Sequence, residues 1–169
     1  QSTVTGSGRQ GMNSEKSAEN NSSTATPVPQ TISVDVEEYY HALNLESVVP
    51  PSRWHTQPSR VEYSTDRLLD VFARHQTKGT FFVLGCVARR HPGLVRTIAE
   101  AGHEIGSHGY GHRLVYRQNE RTFFRDIYRT KRLLEDITGK PVLGYRAPNF
   151  FFFFCVPWAH DALINSGYR

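Results

Sequence analysis

Short segments of strand character alternate with longer segments of helical periodicity, and no other feature of the chain restricts its fold as strongly. The strand-like segments are residues 31–36, which are largely β-branched, and then 80–84, 103–107 and 141–145, of which 103–107 has the weakest pattern. Apolar residues recur at helical spacing between them, and a last helix is predicted over residues 158–165. Because strand, helix and strand form right-handed crossover units, this order predicts a parallel sheet of the α/β class, either open or as an incomplete (β/α) barrel.

The predicted helices have residues that favour their ends. Ser64 or Thr65 can cap the first helix, and Pro92 suits the first turn of the second. Asn119 is a good N-cap for a long third helix, which Gly139 closes. Four residues form the predicted apolar face of the first helix: Leu68, Leu69, Val71 and Phe72. These signals support the alternation of strands and helices.

The composition fits one domain preceded by a tail. A chain of 169 residues has a one-domain length, and its 38% hydrophobic content can form a buried core. Residues 1–30 consist largely of Ser, Thr, Asn, Gly and Pro, which predicts a disordered tail and leaves residues 31–169 as the domain. The two cysteines are too few for a disulfide framework and lack C-x-x-C spacing. Any metal ion would therefore be held by histidines and carboxylates.

The charge of the chain is a weak indication of its partners. The formal net charge is +4, but the Lys and Arg residues are spread along amphipathic segments instead of forming one basic run, so no nucleic-acid partner is expected. No apolar run is long enough to span a bilayer. Few cysteines and the lack of a leader sequence favour the cytoplasm.

Polar residues follow the predicted strands at their carboxyl ends, where the loops of a parallel sheet face one cleft. Asp35 and Glu37 end the first strand, His108 and His112 follow the third, and Arg146 follows the fourth. All of these residues are therefore predicted to lie on the same rim. An arginine buried near the two carboxylates would keep them ionised and orient them. The alternative for Arg146 is an ordinary surface arginine.

The two histidines are candidate metal ligands. They are four residues apart, but glycines at 109 and 111 favour a loop over a helix. Two imidazoles and one carboxylate leave coordination positions open, which is typical of a catalytic site. Asp35 and Glu37 lie on the same side of a strand, so one can bind the ion while the other acts as a base. The alternative is that these side chains are solvated loop and strand-end residues, and a structural role is expected for two other histidines, His41 and His103.

Four motifs in this order resemble the polysaccharide deacetylases with a NodB homology domain, carbohydrate esterase family 4. They are SVDVE at 33–37, TFFV at 80–83, GHEIGSHGYGH at 102–112 and YRAP at 145–148. The spaced acidic pair of the first motif is most similar to the deacetylases of bacterial exopolysaccharide loci. The fold implied by the resemblance is an incomplete (β/α) barrel, truncated at its C-terminus.

The resemblance also implies the chemistry. Asp35 would be the general base, Arg146 would position it, and Asn149 would offer its backbone N–H to the oxyanion. The implied metal ligands are one carboxylate and two imidazoles: Glu37, His108 and His112. The expected ion is zinc, although cobalt or nickel suits the same ligands. The expected reaction removes N-acetyl groups from a polysaccharide.

The chain departs from the family pattern in three places, and the last two support an alternative, a non-catalytic remnant that binds glycan or metal. Glu37 stands where the family has an aspartate, one methylene shorter. The histidine expected to protonate the leaving amine would lie beyond Arg169. Five phenylalanines at residues 150–154 replace an expected polar loop and have no functional explanation from the sequence.

Overall fold

The computed structural model describes residues 30–149 and 156–169. From Thr31 on, the described residues belong to one compact unit, Thr31–Arg169. The predicted tail, up to residue 29, and the phenylalanine run at 150–154 lie outside the described residues. None of the helices in the described part of the chain is long and apolar enough to cross a membrane.

The centre of the fold is a parallel sheet of three strands, as the alternation predicts. The strands are β1 (Ser33–Val36), β2 (Thr80–Val83) and β3 (Glu104–Ser107), in the spatial order β1-β2-β3. Asp35 pairs with Phe82, and Phe82 pairs with Gly106, so the carboxyl ends of the strands lie side by side. The α/β class with a parallel sheet is confirmed.

The prediction of a fourth strand is wrong, because residues 141–145 form a single bridge instead of a ladder. Tyr145 bridges to Ser107 in the parallel sense. The backbone of Val142 is taken up elsewhere: its N–H donates to the Glu135 carboxylate at 3.1 Å, and its carbonyl accepts from the Lys131 ammonium. Side chains of a helix therefore satisfy the groups that a neighbouring strand would need.

Five α-helices surround the sheet in the described residues. They are α1 (Val61–Arg74), α2 (Gly85–Arg90), α3 (Pro92–Glu100), α4 (Glu120–Thr138) and α5 (Trp158–Asn165). Short 3₁₀ turns lie in the connections: Tyr39–His41, Leu43–Leu45, Pro51–Thr56 and Val115–Arg117. The sequence predicts all of the α-helices except α2, which is too short to show a periodic pattern.

The ends of α4 follow the sequence signals, but the start of α1 does not. The Asn119 side chain accepts the Thr122 N–H at 2.9 Å, and Gly139 ends α4 with a φ of 67°. The prediction that Ser64 or Thr65 is the N-cap is wrong, because α1 already begins at Val61. The Glu38 carboxylate accepts the Arg60 N–H at 2.9 Å and so fixes this earlier start.

The core lies between the sheet and the helices. Phe81 and Val83 of β2 are completely buried, as are Phe123, Ile127 and Leu134 of α4. Val71 departs from the predicted apolar face of α1, because 39% of its surface is exposed. These packed elements hold the carboxyl edge of the sheet in place, and the candidate site lies at that edge.

Candidate metal and catalytic site

The end of β1 presents two carboxylates on one side. Asp35 is exposed and Glu37 half-buried, whereas Val36 and Glu38 are buried. Glu38 has a structural role, because its carboxylate accepts hydrogen bonds from the Ser59 hydroxyl and the Arg60 N–H. The period-two alternation thus separates two carboxylates available for chemistry from a neighbour committed to the start of α1.

The structure brings Glu37, His108 and His112 together. One ligand atom from each lies within 4.8 Å of the others. His112 Nε2 is 3.3 Å from Glu37 Oε2. These side chains come from the end of β1 and the loop after β3, which are far apart in sequence but adjacent at the carboxyl edge.

The three side chains fit a divalent cation. Glu37 Oε2 is buried and has no hydrogen-bond partner among the described residues, so a cation would supply its missing interaction. His108 Nδ1 lies 2.8 Å from the Arg146 carbonyl, and because a carbonyl only accepts, Nδ1 carries the proton. Nε2 of His108 is then left as the ligand atom, in a tautomer held by the backbone.

The electrostatics of the cluster also favour a cation. Burial, followed by the charge of Asp35, raises the pKa of Glu37 from 4.5 to about 7. Burial, followed by the nearby His108, lowers the pKa of His112 to about 4, and burial also lowers the pKa of His108. The imidazoles are therefore neutral, as metal ligands must be, while the carboxylate lacks a positive partner.

The loop between the two histidines is held from two sides. On one side, the N–H groups of Gly85 and Cys86 at the start of α2 donate to the carbonyls of Gly109 and Tyr110, at 2.9 and 2.8 Å. On the other side, Asp126 of α4 accepts the Tyr110 N–H at 2.8 Å. The loop can therefore present both imidazoles in a defined geometry.

Backbone conformation and packing specify the same loop. Gly109 has a φ of 75° and His112 a φ of 52°, which is uncommon for a residue with a side chain. A Cβ atom on Gly85 would lie 2.5 Å from Cδ2 of Tyr110. The loop consequently depends on glycine at 85 and 109 and on a strained backbone at a candidate ligand.

Sequence reasoning missed Asp126, although a signal for it exists. Asp126 is 8% exposed and lies on the buried face of α4, next to Phe123 and Ile127. Burial raises the pKa of its carboxyl group. A carboxylate on an apolar helix face requires a partner, and the partner here is the loop that carries His108 and His112.

Arg146 contacts one of the two carboxylates. Its Nη1 donates to Asp35 Oδ1 at 2.7 Å, and its Nη2 donates to the Ser33 hydroxyl at 2.5 Å. The guanidinium also lies over the Phe82 ring, 4.2 Å from its centroid. Arg146 is 30% exposed, and its ion pair in the described part of the chain is with Asp35.

The remaining predicted residues take different positions. Asn149 lies on the wall of a cavity of about 520 Å³ that Arg146 and Phe82 also line. His103 has the expected structural role, because it accepts the Gly79 N–H at 3.2 Å and packs against aromatic rings of the core. His41 is buried beside the cluster, and its ring is stacked on that of His112 with centroids 6.5 Å apart. No sequence signal places His41 there.

A parallel α/β sheet with two imidazoles, a carboxylate and an Asp–Arg pair at its carboxyl edge defines a class of protein suited to metal-dependent hydrolysis. The comparison with known families agrees with a hydrolase. The sequence profile of the polysaccharide deacetylases matches residues 56–152, and the chain belongs to that family. The match includes His108, His112, Arg146 and Asn149 and begins after the two carboxylates.

Two curated relatives are peptidoglycan-N-acetylglucosamine deacetylases. The protein of Listeria monocytogenes is 39% identical over 75 residues, which is 44% of this chain and 16% of the relative. The protein of Bacillus cereus is 37% identical over 84 residues, which is 50% of this chain and 30% of the relative. The chain therefore spans less than a third of the length of either relative.

Solved structures show the same fold. A Mycobacterium smegmatis protein described as a polysaccharide deacetylase has 27% identity and a TM-score of 0.65, over 85% of this chain and 53% of that one. A carbohydrate esterase family 4 pseudoenzyme from Bacillus anthracis has 26% identity and a TM-score of 0.52, over 57% of this chain and 34% of the pseudoenzyme chain.

Proposed function

We propose that this chain carries out metal-dependent hydrolysis of N-acetyl groups on a polysaccharide. The observation that carries the proposal is the proximity of the Glu37, His108 and His112 ligand atoms, within 4.8 Å of one another, on the same edge as the Asp35–Arg146 pair. Family membership and the names of the curated relatives support it. The product would be acetate and a free amine on the polymer.

The cluster of Glu37, His108 and His112 would hold the ion. Zinc suits two imidazoles and a carboxylate, and cobalt or nickel suits the same donors. When bound, a divalent cation supplies a Lewis acid and lowers the pKa of coordinated water. Positions not taken by the three side chains would stay open to water and to the acetyl group.

The other residues act on the proton and on the developing charge. In this proposal the Asp35 carboxylate removes a proton from the attacking water as it adds to the acetyl carbonyl. Arg146 holds this carboxylate in place, because the ion pair at 2.7 Å and the bond to Ser33 fix both partners. The backbone N–H of Asn149 would donate to the oxyanion. The C–N bond then breaks, and the nitrogen takes the proton that Asp35 removed from the water, so the amine leaves neutral and Asp35 is again a carboxylate.

The test combines metal content with acetate release from chitooligosaccharides. We expect His108→Ala to lose both the ion and activity, and Asp35→Asn to keep the ion but lose at least about 100-fold in kcat. The controls are His75→Ala and Asp66→Asn, which change exposed residues on or beside α1. Normal acetate release by Asp35→Asn would refute the role of the base, and equal metal content in the two histidine variants would refute the metal site.

The second candidate function is non-catalytic: a deacetylase relative that binds glycan or metal without turnover. The structural match to a family 4 pseudoenzyme of 26% identity favours it. The same assay separates the two functions. Metal binding that requires His108, together with no acetate release by the unaltered protein from N-acetylated chitooligosaccharides and peptidoglycan fragments, would support the non-catalytic function.

A further inference from the structure

A groove lies on the outer face of α4, beside the candidate site. Its volume is about 460 Å³, and arginine and aromatic side chains form much of its lining. The lining residues that bear on its chemistry are Arg113, Phe124, Arg125, Tyr128 and Arg129. None of them has a part in the proposed hydrolysis.

Two aromatic rings form an exposed apolar surface in this groove. Phe124 and Tyr128 are one helical turn apart and are 36% and 46% exposed. Their ring planes differ by 8°, with centroids 5.7 Å apart. Nearly parallel exposed rings of this kind offer flat faces on which the C–H groups of a pyranose ring can pack.

The charge around these rings is positive, because three arginines and one carboxylate, that of Asp126, line the groove. Among the described residues Arg125 forms no ion pair with a carboxylate, whereas Arg129 lies 3.9 Å from Asp126 and the charge of Arg113 also acts on that carboxylate. The carboxylate of Asp126 is buried and already accepts the Tyr110 N–H. The groove therefore has guanidinium groups available for anions, and guanidinium binds carboxylates with two parallel hydrogen bonds.

The groove adjoins the loop of the candidate metal site. Arg113 directly follows His112, and the Arg129 guanidinium lies 3.3 Å from the centroid of the Tyr110 ring between the two histidines. A polymer that placed one residue at the metal cluster could extend over α4 into the groove. The charge and the rings would then meet a neighbouring part of the same polymer.

We propose that this groove binds a stretch of acidic polysaccharide, with sugar rings on Phe124 and Tyr128 and sugar carboxylates on Arg113 and Arg125. The inference rests on the proposed function, because it extends the deacetylation site along its substrate. A single-stranded nucleic acid also combines rings with negative charge, but the groove adjoins a site of the polysaccharide deacetylase family. The polysaccharide is therefore the occupant that the position of the groove favours.

The experiment is calorimetric titration of the full chain with an oligogalacturonate, with neutral chitohexaose and with oligo(dT). Arg125→Ala is compared with Arg96→Ala, which removes an exposed arginine of α3, and Tyr128→Ala with Tyr63→Ala, which removes an exposed tyrosine of α1. We expect Arg125→Ala to weaken oligogalacturonate binding about three- to fivefold and Tyr128→Ala by at least about fivefold. Both control variants should bind like the unaltered protein.

The neutral ligand and salt complete the test. Added salt should weaken oligogalacturonate binding and leave chitohexaose binding unchanged, because the acidic sugar depends on exposed charge. The inference is overturned if the unaltered protein does not bind oligogalacturonate, if Arg125→Ala and Tyr128→Ala bind it like their controls, or if both variants lose only oligo(dT). Failure of acetate release alone would refute the proposed function and leave these binding results standing.

Discussion

Replacement of Glu37 by glutamine should make the metal-free protein more stable and at the same time remove its response to metal. Burial raises the pKa of Glu37 from 4.5 to about 7, because no positive group compensates the ionised carboxylate. A pKa difference of one corresponds to about 1.4 kcal/mol, so the upper value of the effect is about 3 kcal/mol. Because 27% of the side chain is exposed, water screens part of it, and we expect about 1–2 kcal/mol.

The pH dependence gives this prediction its sign. The pKa is higher in the folded state, so between about pH 4.5 and 7 the folded protein binds more protons than the unfolded chain at this group. The free energy of unfolding contributed by Glu37 therefore falls as the pH rises through that window. Glu37→Gln has no such proton to lose. The two metal-free proteins should be about equally stable below this window, and the variant should be the more stable above it.

Metal should reverse the order of stability. Unfolding by urea is followed at several pH values, first after dialysis against a chelator and then with added zinc. At a zinc concentration of about 100 times Kd, the unaltered protein should gain about 2.7 kcal/mol, because the ion binds the folded state. Glu37→Gln lacks a ligand charge and should gain much less. The control is Glu100→Gln, which changes an exposed glutamate of α3.

Three results would refute this reasoning. A metal-free Glu37→Gln protein that is less stable than the unaltered protein above about pH 7 would show that the ionised carboxylate is not penalised in the fold. Equal stabilisation of both proteins by zinc would show that Glu37 does not hold the ion. Equal behaviour of Glu37→Gln and Glu100→Gln would remove the difference in burial on which the prediction depends.

Three further predictions concern the residues that position the site. Arg146→Lys should lower kcat about 10- to 100-fold with unchanged metal content, because an ammonium cannot reproduce the guanidinium contacts that hold Asp35; unchanged kcat would contradict it. Asp126→Leu should weaken zinc affinity about 10- to 100-fold in a competition titration, whereas Asp126→Asn, which keeps an acceptor, should restore most of it; equal affinities would contradict the positioning role. Gly85→Ala should lower the free energy of unfolding by about 1–3 kcal/mol in urea, since the added methyl group meets Tyr110; an unchanged midpoint would show that the ring can move.

Much of the fold follows from local signals. The capping side chain of Asn119 and the glycine at 139 bound α4 as expected, and the order of strands and helices suffices for a parallel sheet. The incorrect predictions occur where non-local contacts compete with the local preference for strand or helix. Residues 141–145 have strand character, but Glu135 and Lys131 of α4 take the backbone groups of Val142. No local pattern reveals that competition.

The candidate site divides in the same way. Because parallel strands place their carboxyl ends at one edge, the sequence alone predicted that Asp35, Glu37, His108 and His112 would share one rim. The choice of Glu37 as the carboxylate beside the two imidazoles came from the family resemblance. Only the tertiary structure decided that the Glu38 carboxylate accepts a hydrogen bond at the start of α1 and that the Asp126 carboxylate accepts one from the histidine loop. The physical reason is the distance along the chain between the groups that determine each property. Periodicity and strand order depend on neighbours in the chain, whereas burial, hydrogen-bond partners and pKa depend on groups brought together by folding.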